Sequence, residues 1–155
     1  MNVLFLDYDG VVNTSMWNET GTKCRYNFPE DGKVNNFQAI QWISEFCQCS
    51  NYSIVVISSW RRESNYKECL INGGLRAGIE ILGRTSVGVH REEGILEYLA
   101  AHQSILNFII VDDFNCYTDP RLIKRLIQTR EDWGFGKNDF MKCVNLAREL
   151  AAELI

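Results

Sequence analysis

The sequence has few of the features that mark membrane, fibrous or exported proteins. Of its 155 residues only 2 are proline, and the longest apolar run, around residues 108–111, has the length of a strand. A membrane-spanning helix needs about 20 apolar residues in succession, so we predict none. The N-terminus lacks the basic segment and cleavage site of an export signal, which predicts a cytoplasmic location. Without repeats or linker-like stretches, residues 1–155 are predicted to form one domain.

Cysteine spacing and charge argue against two further classes. No Cys-x-x-Cys pair is present, and Cys47 and Cys49 have no His or Cys partner at ligand spacing, so no zinc site or disulfide framework is predicted. The 20 acidic residues exceed the 16 basic ones, which gives a net charge of −4. Proteins that bind nucleic acids in bulk usually carry a basic excess, so strong binding of that kind is not expected.

Short apolar runs alternate with amphipathic segments along the chain, which is typical of an α/β domain. Five strands are predicted, at residues 3–6, 53–57, 79–82, 108–111 and 125–128. Four helices are predicted, at residues 34–46, 63–71, 92–101 and 139–154. Right-handed crossovers would place the helices on both faces of a parallel sheet, as a three-layer sandwich. The polar and aromatic segment 14–28 is interpreted as an irregular hairpin or flap.

Polar side chains follow three of the predicted strands, at the point where each strand ends. They are Asp7 and Asp9, Ser58 and Ser59, and Asp112 and Asp113. If the three strands are neighbours in a parallel sheet, these side chains meet at the edge where such sheets bind ligands. Four carboxylates at one edge repel one another and need a counter-charge. Because Mg²⁺ prefers carboxylate and water oxygens, the spacing predicts a magnesium site.

The spacing of Asp7 and Asp9 allows the two carboxylates to take different roles. In an extended strand, residues i and i+2 point to the same side, about 6.7 Å apart. One carboxylate can bind metal and attack an electrophile while the other transfers a proton. Gly10 permits a sharp departure of the backbone, which keeps the space for substrate above the pair open.

Three segments of the sequence together resemble the haloacid dehalogenase (HAD) superfamily of aspartyl-phosphate enzymes. They are FLDYDGVV, VVISSW and IIVDDF, which occur in the family's order, at predicted strand ends and over most of the chain. More narrowly, DYDGVVN, SSWR and GRTS are similar to segments of small capless HAD domains, including those of RNA repair proteins. The resemblance implies a Rossmann-like parallel sheet of about five strands, with a minimal cap or none.

The resemblance also implies roles for the residues at the first two strand ends. Asp7 would be the nucleophile that becomes an aspartyl-phosphate. Asp9 would be the general acid and then the base, and its backbone carbonyl would ligate Mg²⁺. Ser58 would hydrogen-bond the phosphoryl group, with Ser59 as the neighbouring candidate. Trp60 is interpreted as a packing residue beside the site, with a contact to the leaving group as the alternative.

The metal ligands and the phosphate-binding cation complete the implied site. Asp113 would ligate Mg²⁺ directly, with Asp112 assisting directly or through water. The family's third motif is a Lys or Arg that pairs with the nucleophile and the phosphate, but no Lys lies between residues 67 and 124. Arg91, which opens the helix before the fourth strand, is our choice, and Arg84 is the alternative. Arg61 is a further candidate for holding the leaving group.

The predicted activity is Mg²⁺-dependent hydrolysis of a phosphomonoester, a phosphatase reaction. Neither segment that could hold a cap, residues 14–51 or 60–90, has room for a full cap domain. By analogy with capless relatives, an open site suits a bulky substrate such as a nucleic-acid end or a phosphoprotein. The alternatives are a small phosphorylated metabolite and a catalytically silent phosphate-binding module. Dehalogenation is disfavoured because dehalogenase relatives lack an Asp at position 9, and the oligomeric state stays open.

Overall fold

Five parallel strands form the centre of the structure, a computed structural model that describes residues 1–13, 37–131 and 133–154. The strands are β1 (Asn2–Leu6), β2 (Tyr52–Val56), β3 (Ile81–Arg84), β4 (Asn107–Asp112) and β5 (Leu126–Gln128). Their order in the sheet is β3-β2-β1-β4-β5, and every neighbouring pair is parallel. This arrangement confirms the predicted Rossmann-like α/β fold, with β1 at its centre.

Helices cover both faces of the sheet because side chains of the central strands alternate between the faces. The helices are α1 (Phe37–Ser50), α2 (Glu68–Asn72), α3 (Arg91–Ala101), α4 (Pro120–Ile123) and α5 (Lys137–Ala152). On one face Leu4 and Leu6 pack with α1 and α5; on the other, Val3 and Phe5 pack with Ile95 of α3. No helix of the described residues has the length and apolarity needed to cross a membrane.

The second predicted helix, at residues 63–71, was wrong in its start. A short 3-10 helix instead occupies Ser59–Arg62, and α2 begins only at Glu68. The Ser58 hydroxyl caps the 3-10 helix by accepting a hydrogen bond from the Trp60 N–H at 3.3 Å, and the extended backbone of Glu63 ends it, so no helix continues through residue 63. This turn begins immediately after β2 and therefore places residues 58–62 at the carboxyl edge of the sheet.

The first helix, predicted at residues 34–46, buries only part of its apolar side chains. Ile40, Ile43 and Phe46 are fully buried, but Phe37 is 56% exposed. Phe37 is the first residue of α1, and its ring lies against Gly74, where a β-carbon would overlap the ring. The start predicted at residue 34 and the predicted flap at residues 14–28 lie outside the described residues.

Candidate active site

The carboxyl ends of β1, β2 and β4 meet at one edge of the sheet. The last residue of β1 is in register with Val56 of β2 and with Val111 of β4. The residues that follow the three strands are therefore neighbours in space. Carboxylate oxygens of Asp7, Asp112 and Asp113 lie within 4.8 Å of one another. Three of the four carboxylates expected at this edge are thus brought together, whereas the Asp9 carboxylate is not part of the cluster.

A tight turn after β1 opens the space above these carboxylates. The Tyr8 carbonyl accepts hydrogen bonds from the N–H groups of residues 11–13 at 2.8–3.0 Å. Gly10 adopts a φ of 79°, a conformation that other residues rarely take. A β-carbon on Gly10 would also overlap the carboxylate of Asp113. Glycine at this position is therefore required both by the backbone and by the metal-ligand candidate beside it.

The segment after β5 fastens this turn from the far end of the sequence. The Thr129 hydroxyl donates a hydrogen bond to the Gly10 carbonyl at 2.8 Å, across a separation of 119 positions. The Phe135 N–H donates to the Val11 carbonyl, also at 2.8 Å. Both Thr129 and Phe135 are buried. The turn is thereby held by two buried contacts that do not involve the reactive side chains.

Asp7 is a buried carboxyl group among other carboxylates. It is 3% exposed, and burial raises its pKa well above the ordinary value. Arg91 acts in the opposite direction, whereas Asp112 and Asp113 raise the pKa of Asp7 further. The ionised form of Asp7 is therefore favoured only when positive charge lies nearby. A carboxyl group must be ionised to act as a nucleophile.

Arg91 supplies one such charge, from the first turn of α3. Its Nη1 lies 2.6 Å from the Asp112 Oδ2 and 3.4 Å from the Asp7 Oδ2. Burial acts to lower the pKa of Arg91, but Asp7 and Asp112 raise it above the ordinary value, so the guanidinium stays charged. Arg91, the arginine chosen for the third motif, thus lies beside Asp7. Its binding of phosphate stays a prediction.

Asp112 is fully buried, and both of its oxygens are engaged within the protein. The Oδ2 accepts hydrogen bonds from Arg91 at 2.6 Å and from the Tyr117 hydroxyl at 2.7 Å. The Oδ1 accepts one from the Phe114 N–H at 3.0 Å. This network fixes the Arg91 guanidinium beside Asp7. Sequence analysis missed Tyr117, because nothing in the surrounding loop sequence marks it.

The acidic cluster fits a divalent cation. Carboxylate oxygens of Asp7, Asp112 and Asp113 lie within 4.8 Å of one another, so their negative charges repel. Burial also raises the pKa of Asp113. The Arg91 guanidinium pairs with Asp112 and Asp7, and a divalent cation would balance the remaining negative charge. The donors are hard oxygens, and Asp113 is half-buried beside the open turn, so the set suits Mg²⁺.

The two serines after β2 differ in their surroundings. Ser58 is 1% exposed, and its hydroxyl caps the 3-10 helix by accepting from the Trp60 N–H. Ser59 is exposed. The role implied for Ser58, hydrogen bonding to a phosphoryl group, stays a prediction, and Ser59 stays the neighbouring candidate.

The Trp60 side chain contacts the second aspartate of the first motif. Its indole Nε1 lies 3.1 Å from the Asp9 Oδ1 and 3.0 Å from the Asp9 Oδ2. The Asn13 side-chain amide approaches the same Oδ1 at 3.4 Å. The indole therefore does more than pack beside the site. Periodicity could not reveal this contact, since 51 positions separate the two residues.

Arg61 and Arg84 bind backbone carbonyls. Arg61 is 6% exposed, and its guanidinium donates to the carbonyls of residues 57, 58, 86 and 89 at 3.0–3.3 Å. Arg84 donates to the carbonyls of Arg61 and Glu63, and its guanidinium lies 4.8 Å from the centre of the Tyr66 ring. Neither geometry supports the predicted contacts with substrate, and of the two third-motif candidates Arg91 lies beside Asp7.

Comparison with known proteins supports the resemblance seen in the three motifs. No curated protein and no solved structure gives a significant match. A family model described as the HAD domain in Swiss Army Knife RNA repair proteins matches residues 3–140. That range includes β2 to β5, all of β1 except Asn2, and every site residue described above. The chain therefore belongs to the haloacid dehalogenase superfamily, in the family of HAD domains of Swiss Army Knife RNA repair proteins.

Proposed function

We propose that this chain is a Mg²⁺-dependent phosphomonoesterase that works through an aspartyl-phosphate on Asp7. The observation that carries the proposal is the position of Arg91, which lies 3.4 Å from Asp7 and is held there by buried Asp112. A guanidinium beside the nucleophile can bind phosphoryl oxygens through two N–H groups. Membership of the HAD family supports a phosphatase-like reaction in general.

The proposed reaction has two steps. In the first, an Asp7 carboxylate oxygen bonds to phosphorus, the bond from phosphorus to the leaving oxygen breaks, and Asp9 gives its proton to that oxygen. In the second, the Asp9 carboxylate takes a proton from water as the water oxygen attacks phosphorus. The bond from Asp7 to phosphorus breaks, and inorganic phosphate leaves. Arg91 balances the charge of the phosphoryl oxygens in both steps.

Asp7, Asp113 and the Asp9 backbone carbonyl are the proposed Mg²⁺ ligands. Bound Mg²⁺ would supply a Lewis acid that draws charge from a phosphoryl oxygen and favours the ionised form of Asp7. Asp112 is assigned the role of holding Arg91, since three donors of the protein already engage the two oxygens of its carboxylate. The assistance expected from Asp112 is therefore proposed to act through Arg91.

A nucleic-acid end is the proposed substrate class. The matched family is described by its occurrence in RNA repair proteins, and by analogy at the level of the family a phosphorylated nucleic-acid end suits a phosphatase site of this kind. Between β2 and β3 the described chain forms only the 3-10 helix and the five-residue helix α2, so no cap domain lies there. A phosphoprotein or a small phosphorylated metabolite would be the substrate if nucleic-acid ends are not hydrolysed.

Phosphate release from p-nitrophenyl phosphate, with and without Mg²⁺, tests the proposal. We expect release that requires Mg²⁺ and disappears in Asp7→Asn. Glu45→Gln is the matched control, because Glu45 is a partly exposed carboxylate of α1 that pairs with Arg76 and is not a member of the acidic cluster. Beryllofluoride should form an adduct with the wild type but not with Asp7→Asn. Release that persists in Asp7→Asn would place the nucleophile elsewhere.

The same experiments separate an enzyme from a silent module. A wild type that binds beryllofluoride but releases no phosphate would have a strict substrate requirement, which a screen of 3′- and 5′-phosphorylated oligonucleotides, phosphopeptides and metabolites would identify. A wild type that neither binds beryllofluoride nor releases phosphate from any of these would contradict the proposal.

A further inference from the structure

The turn after β2 is fixed at several points. The Ser58 hydroxyl accepts from the Trp60 N–H at 3.3 Å, and the Ser58 carbonyl accepts from the Arg61 N–H at 2.9 Å. The Arg61 Nη1 donates to the carbonyls of residues 57 and 58, both at 3.0 Å. The backbone of Trp60, which lies between these contacts, is therefore held in one place.

Arg61 also connects this turn to the chain that leads into α3. Its Nε and Nη2 donate to the carbonyls of Ser86 and Val89, both at 3.3 Å. Val89 lies two positions before Arg91. One buried guanidinium thus joins the turn that carries Trp60 to the segment that carries the phosphate-binding cation.

The Trp60 ring extends from this turn to the Asp9 carboxylate. The ring is partly buried and packs against the apolar core, while Nε1 faces both Asp9 oxygens at 3.0 and 3.1 Å. An indole N–H can only donate, and its direction is set by a rigid ring. A donor placed between two carboxylate oxygens restricts rotation of that carboxylate about its last torsion angle.

We infer that Trp60 is a positioning residue, which holds the Asp9 carboxylate in the orientation for proton transfer to the leaving oxygen. The inference rests on the proposed function, in which Asp9 acts as the general acid. Trp60 touches neither the phosphorus nor the leaving oxygen; it acts through Asp9. Its effect should therefore grow as the leaving group comes to depend more on protonation.

Substituted aryl phosphates measure this effect without changing the shape of the substrate. p-Nitrophenolate leaves readily without a proton, whereas phenolate and p-methoxyphenolate need one. The leaving oxygen departs in the first step, which kcat/KM reports, whereas kcat also includes hydrolysis of the aspartyl-phosphate that all substrates share. General acid catalysis contributes about 10²- to 10⁴-fold, so misplacing the acid in Trp60→Phe should lower kcat/KM for phenyl phosphate about tenfold. For p-nitrophenyl phosphate we expect kcat/KM to change about twofold or less.

Trp133→Phe is the matched control. Trp133 is 56% exposed and lies outside the site, so both substrates should keep their wild-type kcat/KM. A purely structural role for Trp60 would lower kcat/KM for all aryl phosphates by the same factor. An equal loss across the series, or no loss at all, would overturn the inference while leaving the phosphatase proposal intact.

Indole N–H resonances in the ¹⁵N-labelled protein test the contact without any turnover. The Trp60 resonance is identified by its loss in Trp60→Phe, and it should move upfield in Asp9→Ala, which removes the carboxylate acceptor. Asp9→Asn, which keeps the shape of the side chain, serves if the Ala variant does not fold. The Trp133 resonance should stay in place. A Trp60 resonance that does not move in the folded variants would overturn the inference, whether or not the wild type is active.

Discussion

Asp112 and Asp113 are adjacent in sequence, yet their replacement by Ala should affect two different properties of the protein. Asp112 is fully buried and accepts hydrogen bonds from Arg91, Tyr117 and the Phe114 N–H. Asp113 is half-buried, and its carboxyl group faces Asp7. We expect Asp112→Ala to cost folding stability and Asp113→Ala to cost metal binding.

The size of the stability loss follows from the contacts of Asp112. Removing one partner of a buried ion pair costs about 3–5 kcal/mol, because the other charge stays buried without compensation. Stranding the buried Tyr117 hydroxyl adds about 1–3 kcal/mol. Asp7, at 3.4 Å from Arg91, takes over part of the pairing and reduces the sum. We therefore expect Asp112→Ala to lower the unfolding free energy by about 4 kcal/mol, and Asp113→Ala to change it by about 1 kcal/mol or less.

Urea denaturation in EDTA measures this difference. With a urea slope of about 1–3 kcal/mol per molar, the Asp112→Ala midpoint should fall by about 2 M. Asp112→Asn keeps the shape of the side chain and an acceptor for Phe114, so its loss should be about half as large. Mg²⁺ titration by calorimetry at native conditions should rank Asp113→Ala as the weaker binder.

Two results would refute the assignment of these roles. The first is an Asp113→Ala protein that is destabilised as much as Asp112→Ala. The second is an Asp112→Asn protein that is folded, keeps its stability and binds Mg²⁺ less tightly than Asp113→Ala. The first result would give Asp113 a structural role as large as that of Asp112. The second would make Asp112 the principal metal ligand and leave Arg91 without its proposed anchor.

Three further predictions concern neighbouring positions. Gly10→Ala forces a β-carbon against Asp113 at a positive φ, so Mg²⁺ affinity measured by calorimetry should fall at least about tenfold at a cost of about 1–3 kcal/mol in stability; unchanged affinity would contradict the close approach. Burial raises the pKa of Asp7, so the folded metal-free protein loses stability as the pH rises above the pKa that Asp7 has in the unfolded chain. In EDTA at pH 7, Asp7→Asn should therefore raise Tm, by about 2–4 °C for each kcal/mol added to the unfolding free energy. A lower Tm would contradict a raised pKa of Asp7. Arg61→Ala leaves four carbonyls without their donor and should lower the unfolding free energy in urea by about 3 kcal/mol; wild-type stability would show that the carbonyls find other donors.

The elements that sequence predicted well are those defined by a continuous apolar run. The runs at residues 3–6 and 108–111 have no alternation because both faces of a central parallel strand are covered, and the strands were found there. The helix predicted at residues 63–71 was wrong in its start because the extended backbone of Glu63 separates the 3-10 helix from α2. The conformation of that one residue is not marked by the sequence around it.

The residues of the site that directly follow strand ends could be predicted from the sequence. Asp7, Asp112 and Asp113 were found from their positions after apolar runs, because parallel pairing brings strand ends together. The contacts of Trp60 and Tyr117 could not be found in this way, since each depends on the direction of one ring in three dimensions. Likewise, sequence alone does not distinguish an arginine that binds substrate from one that binds four carbonyls.

The two buried contacts that fasten the turn after β1 have a consequence for the order of synthesis. Asp7 and Asp9 are synthesised before Thr129 and Phe135, which follow more than a hundred residues later. Strand β1 likewise can pair only after both of its neighbours, β2 and β4, have been made. Contacts this distant in sequence form late in folding. A nascent or truncated chain that ends before residue 129 therefore carries the proposed catalytic aspartates without the contacts that hold their turn in place.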